Sequence, residues 1–359
     1  MLCAPAAMRR VLSLLFFVVV AACSSSSSGG GDQAKPAAPP PAGPVNPGES
    51  PESQDKPKDP DTQMVVGLDS EDFSSQGFRI GTVDVVATID GVVAAQETLD
   101  SSKGPMFPHE LHVAPPAASP ESTLSVTITA HDSGTHDDGA PPVVKRTATA
   151  KFVKGRAMLL FVFLEVRCNT DQLVGGGGPS GPTCTVPGET CIAGVCKSDL
   201  VANLPDYRAD WAANPPSACG SGAPEITIGK GETSYAPLAD GDTADVQEGP
   251  QCGHHIWLAL GMKNLSQFKT ITTLSATQPG TGVTVPATAF PYAYAANGAD
   301  CELVGVRFQL DITNGKIGDF LGKPLDITVQ GQDKAGNTTT AIRHVNVASS
   351  FTKGPRPCP

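Results

Sequence analysis

Along much of this chain hydrophobic residues recur at every second position. Val83, Val85, Ala87 and Ile89 alternate with Asp84, Val86, Thr88 and Asp90, and Leu124, Val126, Ile128 and Ala130 alternate with Ser125, Thr127, Thr129 and His131. Successive side chains of an extended strand point to opposite faces, so this period predicts strands with one face in a core. Asp90-Gly91 falls between two such runs and predicts a tight hairpin turn. Leu159 to Val166 is an apolar run broken only by Glu165, as a strand covered on both faces would be. Between 64 and 168 no helix-length 3.6 period competes. The pattern predicts an all-β chain with an immunoglobulin-like β-sandwich over 64–167.

The same period returns further along. Glu225-Ile226-Thr227-Ile228 opens a second β-domain, Ile256, Leu258, Leu260 and Met262 share one face, and Val304 to Ile312 and Leu325 to Val329 alternate well. Asp333-Lys334-Ala335-Gly336-Asn337 reads as a hairpin turn into Thr338–Val347. A second immunoglobulin-like sandwich is therefore expected over 219–359.

Between the two lies a stretch too small to build a core. Cys168, Cys184, Cys191 and Cys196 crowd into it, and its glycines leave little to bury. Covalent links must hold such a segment. No C-x2-C pair supports zinc, so residues 168–199 are expected to be a disulfide-rich module, in any of three pairings. Residues 200–218 read as a linker. Cys219 and Cys358 stand at opposite ends of the second domain, which suggests a bridge between its termini and a Cys252–Cys301 bridge between two strands.

The N-terminal part carries an address. Arg9 and Arg10 precede the apolar run Val11–Val20, which has the length of a signal segment and is too short to span a bilayer. Val20-Ala21-Ala22-Cys23 resembles a lipobox, the motif of bacterial lipoproteins in which the cysteine is lipidated and becomes the mature N-terminus. Residues 1–22 are then a signal peptide, and Cys23 is the membrane attachment, with Met8 an alternative start. Ser24 after the cysteine favours the outer membrane. Residues 23–63, rich in serine, glycine and proline, have almost nothing to bury and read as a disordered tether. Forty such residues span ~35 Å as a flexible coil.

Several further motifs carry a resemblance. Leu164-Glu165-Val166-Arg167-Cys168, Gly188-Glu189-Thr190-Cys191-Ile192-Ala193-Gly194-Val195-Cys196 and Leu204-Pro205-Asp206 through Trp211 are similar to multi-domain surface lipoproteins of large-genome Gram-negative soil bacteria. The likeness extends through Gly249–Trp257 and Phe320–Leu325. The family brings no established activity, so the resemblance assigns no catalytic residue. It implies a β-domain on either side of a short cysteine-rich module.

Chemistry of other kinds is hard to place. The formal net charge of −11 becomes −13 once Arg9 and Arg10 leave with the signal, which argues against nucleic acid as partner. No G-x-S-x-G elbow, H-E-x-x-H helix or phosphate-binding glycine loop is present. His109 and His112 would face opposite sides of a strand, and the loop His131–Asp138 fails the spacing of a calcium site. His254 and His255 alternate faces at the start of a strand, so at most one is expected in the core. Neither metal nor cofactor is expected. Phe290, Tyr292 and Tyr294 share a face at period two; with so few aromatics in the chain core packing is the leading reading, and if exposed they form a row that could stack sugar rings. The expectation is a lipid-anchored, noncatalytic envelope protein with a surface binding or adhesive role toward a glycan or protein. A structural envelope component is the alternative, and a metalloprotein or enzyme a more distant one.

Overall fold

The hairpin signal at Asp90-Gly91 is realised in the backbone. Both residues take positive φ, 49° and 84°, the conformation that two-residue turns between twisted strands require. The computed structural model describes residues 61–76, 79–133, 142–169, 181–249, 252–312 and 316–354. The signal segment, Cys23, nearly all of the tether and Cys358 lie outside the described residues.

Strands β1 (Gln63–Ser70), β2 (Ile80–Ile89), β3 (Val92–Asp100), β4 (His109–Val113), β5 (Thr123–Asp132), β6 (Val144–Lys151) and β7 (Ala157–Leu164) form two sheets, ordered β4-β1-β7 and β3-β2-β5-β6. β1 runs antiparallel to β4 and parallel to β7. The alternating residues Val83, Val85, Ala87, Leu124, Val126 and Ile128 are all fully buried, in one core with Met64, Val66 and Leu68 of β1. Period two thus translated directly into burial.

Two short strands, β8 (Glu189–Ile192) and β9 (Val195–Ser198), make the hairpin of the cysteine module. Its bridges interleave: Cys168 joins Cys191 and Cys184 joins Cys196. The chain that follows covers sheet edges. Thr149 N–H on β6 donates to the Asp199 carbonyl, and Val201 N–H returns to the Thr149 carbonyl, each at 2.8 Å. On β7, Leu159 N–H donates to Pro205 and Tyr207 N–H to Ala157, each at 2.9 Å. Residues 200–218, expected as a linker, are in part a strap that pairs the open edges of both sheets, satisfying backbone groups that would otherwise invite another chain.

Trp211 fixes this strap. Its indole lies over Gly67 of β1, where an added Cβ would sit 3.1 Å from the ring, and its Nε1–H donates to the Glu110 carboxylate of β4 at 2.5 Å. Only a residue without a side chain lets the indole come so close.

The remaining strands are β10 (Glu225–Lys230), β11 (Ala236–Pro237), β12 (Thr243–Glu248), β13 (His254–Lys263), β14 (Ile271–Thr277), β15 (Thr284–Phe290), β16 (Ala295–Asn297), β17 (Asp300–Gln309), β18 (Pro324–Gln332) and β19 (Thr338–Thr352). They join in one ten-stranded hydrogen-bonded network that branches at β13 and encloses a single core containing Ile228, Leu258, Leu260, Leu303, Leu325 and Ile327. The expected turn closes β18 onto β19, with Asn337 N–H donating to the Asp333 carboxylate at 2.9 Å. The described helical segments are short 3-10 turns, and none is long and apolar enough to cross a membrane. The chain is all-β where it is described.

Both expected bridges of the second domain are corrected. Cys219 pairs with Cys301, not with Cys358, and Cys301 is therefore closed to Cys252. Cys219 precedes β10 and Cys301 sits in β17, and both strands flank β13, so the fold brings them to a Cα separation of 5.1 Å. Cys252 is itself disulfide-bonded.

Candidate functional site

The strand β7 was read as covered on both faces, and the structure supplies a different partner for each. Met158, Leu160, Val162 and Leu164 enter the first core. On the other face Phe161 and Phe163 pack against Phe268, which precedes β14, with ring centroids 4.9 and 4.8 Å apart. Buried Ala293 completes this small cluster, and Trp211 of the strap approaches Phe161 at 5.6 Å. Two β-domains therefore share an aromatic junction, supplemented by an ion pair of Lys269 with buried Asp69.

At its centre is an acid. Glu71 follows β1 and is 6% exposed. One carboxylate oxygen accepts from Val166 N–H and the other from Ala293 N–H, each at 2.7 Å. Burial and neighbouring Glu165 push its pKa up to about 8, against the pull of the two amides and Arg167. Glu165, at the end of β7, is buried too; burial raises its pKa, and Arg146 pulls it back. It accepts from Arg146 at 3.3 Å and from Ala193 N–H in the cysteine module. Arg146 also donates to the Cys191 carbonyl, while Arg167 stands 5.9 Å over the Tyr292 ring. Four ionisable side chains from three segments thus tie the first domain, the module and the second domain together. Removing one member of such a set leaves its partner buried and uncompensated.

Beside Glu71 a cleft of about 560 Å³ opens, walled by Ser70, Asp72, Phe73, Arg79, Met106 and Phe107 among others. Its size suits a small ligand. Glu71 contributes to the wall, but both its oxygens are occupied by backbone donors. Its two hydrogen bonds place it across the junction.

The aromatic row packs on the core, as its leading reading had it, but its expected shared face is corrected. β15 ends at Phe290, and residues 291–294 leave the strand. Period two no longer sets direction there, and Tyr294 turns fully into the core, its hydroxyl 2.8 Å from Thr272 Oγ1. Phe290 and Tyr292 are half-buried and packed on each other at 4.8 Å. These three rings form no exposed platform.

The other histidine motifs resolve into packing. His109 bonds Glu97 at 2.6 Å and His112 bonds Glu110 at 3.2 Å, so the two do not converge. Of the loop after β5, His131 lies 3.5 Å from Asp84; His136, Asp137 and Asp138 lie outside the described residues. The expectation of at most one core histidine at 254–255 is corrected, because β13 is covered on both faces. His254 bonds Asp311 at 2.8 Å and meets Phe351 edge-on, while His255 meets Trp257 edge-on at 4.7 Å. Burial, helped by Arg307 and His254, pushes His255 down to about 4. Among the described residues no group of histidine, cysteine or acidic side chains could hold a metal ion.

Glu71, Glu165, Arg146 and Arg167 went unread in the sequence. The one local signal was Glu165, a charge set inside the apolar run Leu159–Val166.

No protein-family model and no curated protein matches the chain. Solved structures similar to it include a leucine-rich repeat protein from Bacteroides thetaiotaomicron, at 9% identity and a TM-score of 0.17 over 82% of this chain and 26% of that one. Another concerns host cell surface retention of a 1.5-MDa bacterial ice-binding adhesin, at 10% identity and a TM-score of 0.17 over 81% of this chain and 66% of that one. Likeness at this level carries no argument about fold or function.

Proposed function

We propose that this chain is a lipid-anchored, noncatalytic protein of the bacterial cell envelope with a surface binding or adhesive role. In this reading residues 1–22 are removed, and Cys23 carries the lipid that holds the chain to the outer membrane. The tether then holds two immunoglobulin-like β-domains clear of it, on the periplasmic side or the cell surface. The ligand is a glycan or a protein.

One observation supports this reading above others: the buried acids Glu71 and Asp69 are spent on contacts that join the two β-assemblies. Glu71 bridges Val166 and Ala293 across the junction, while Glu165 joins Arg146 to Ala193 of the cysteine module. Acids locked inside a junction suit display better than turnover. The disulfides suit an oxidising compartment outside the cytoplasm.

Expression of the intact chain and of Cys23→Ala with labelled palmitate tests the anchor. Label and membrane association should both disappear in Cys23→Ala while the ectodomain keeps its fold. If Cys23→Ala stays in the membrane fraction as a labelled lipoprotein, the anchoring reading is wrong.

A further inference from the structure

Strands β19, β18, β14 and β15 lie side by side, and their inward residues Leu274, Ile327, Val329 and Val345 fill the second core. The outward face of the same strands is open. Strand register aligns its side chains into rows: Thr273 beside Gln330 beside Thr340, and Ser275 beside Thr328 beside Ile342. Ile342 is 52% exposed. Further along, Asp326 and His344 are aligned and bonded to each other at 2.7 Å. Strand spacing and rise give this face about 14 Å across and about 20 Å along.

We propose that this threonine- and glutamine-rich face is a binding surface for uncharged polysaccharide. The proposal rests on the surface-binding role inferred above and names its ligand class. Three features select the partner. In a chain of formal net charge −11, the charged groups of the face are Asp326 and His344, bonded to each other, with Asp240 at the margin paired to Arg343 and accepting the His344 N–H, so the face offers little net charge to an ionic partner. It carries no aromatic or arginine anchor of the kind that dominates protein–protein interfaces, and no basic side chain for phosphate. What remains is a register of hydroxyls and carboxamides, each able to donate and accept, between the aliphatic patches of Ile271 and Ile342. That combination matches a repeating surface of hydroxyls and C–H faces. Each face is small, so many copies tethered to one membrane would bind by avidity.

The experiment is retention of the purified intact chain, in detergent, on cellulose and on insoluble β-1,3-glucan particles. Binding to at least one is expected, unaffected by raised salt. Gln330→Glu with Thr340→Glu should lower retention at least ~10-fold, because the new charges need solvation that a docked glycan removes. Thr340→Ser should retain it, and Gln96→Glu on β3 should leave it unchanged. An unaltered circular dichroism spectrum guards against unfolding. No retention on either particle, or equal retention by the doubly charged variant, overturns the proposal. Inhibition of ice recrystallisation by the same face, without polysaccharide retention, overturns it in favour of ice. Membrane fractionation is read separately, so a failed anchor and a failed ligand class are distinguishable.

Discussion

The Glu71 carboxylate accepts the backbone N–H of Ala293 at 2.7 Å, across 222 positions of sequence. Its other oxygen is held by Val166 within the first domain, so a single side chain spans the junction.

That side chain makes stability depend on pH. The native pKa of Glu71 is pushed up to about 8 from an ordinary value of 4.5. The folded state therefore holds its proton where the unfolded state has released it, and stability falls as pH rises from 4.5 through 8. Thermal unfolding should show this decline, and Glu71→Gln should flatten it. Glu71→Ala leaves two buried N–H donors unpaired and should cost roughly 2–5 kcal/mol. A wild-type stability that rises over that window would refute the assignment.

His255 acts at the acid end with the opposite sign. Its pKa is pushed down from 6.5 to about 4, so the native state resists a proton that the unfolded chain accepts. Stability falls as pH drops from 6.5 through 4. Urea titrations at the two ends of that range measure the loss, and His255→Phe, which keeps a ring against Trp257, should remove this component.

The bridge Cys219–Cys301 closes 82 positions. Its removal by the double change to serine should cost about 4 kcal/mol in the chain-entropy model. A non-reduced peptide map should recover Cys219 with Cys301; recovery of Cys219 with Cys358 would contradict the fold.

Gly67 and Trp211 offer an optical test. Gly67→Ala places a Cβ 3.0 Å from Leu159 and 3.1 Å from the indole, and overpacking of this kind costs about 1–3 kcal/mol. Emission from Trp211 should shift to the red as the strap lifts. Fluorescence unchanged from wild type would mean the strap is held elsewhere.

Much of the strand pattern was legible because burial follows local alternation, as at Val83–Ile89. Leu159–Val166 was read correctly as doubly covered, although nothing local named Phe268 as the outer partner. The Cys219–Cys358 expectation took the ends of a domain in sequence for its ends in space, whereas β-pairing placed Cys219 beside Cys301. Phe290–Tyr294 failed because alternation fixes direction only while the backbone stays extended. Glu71 was illegible for a different reason: a buried acid is made by what arrives from 222 positions away, and no neighbouring residue announces it.

The position of β1 has a mechanical consequence. It is the middle strand of its sheet, paired along Gln63–Ser70 with β7 and along Met64–Leu68 with β4. A pull on residue 62 while the rest of the body is held must drag β1 lengthwise past both neighbours. Hydrogen bonds loaded in shear share the force and yield together, whereas a peeled edge strand breaks them one at a time. The first described strand is thus placed to carry load along its own axis.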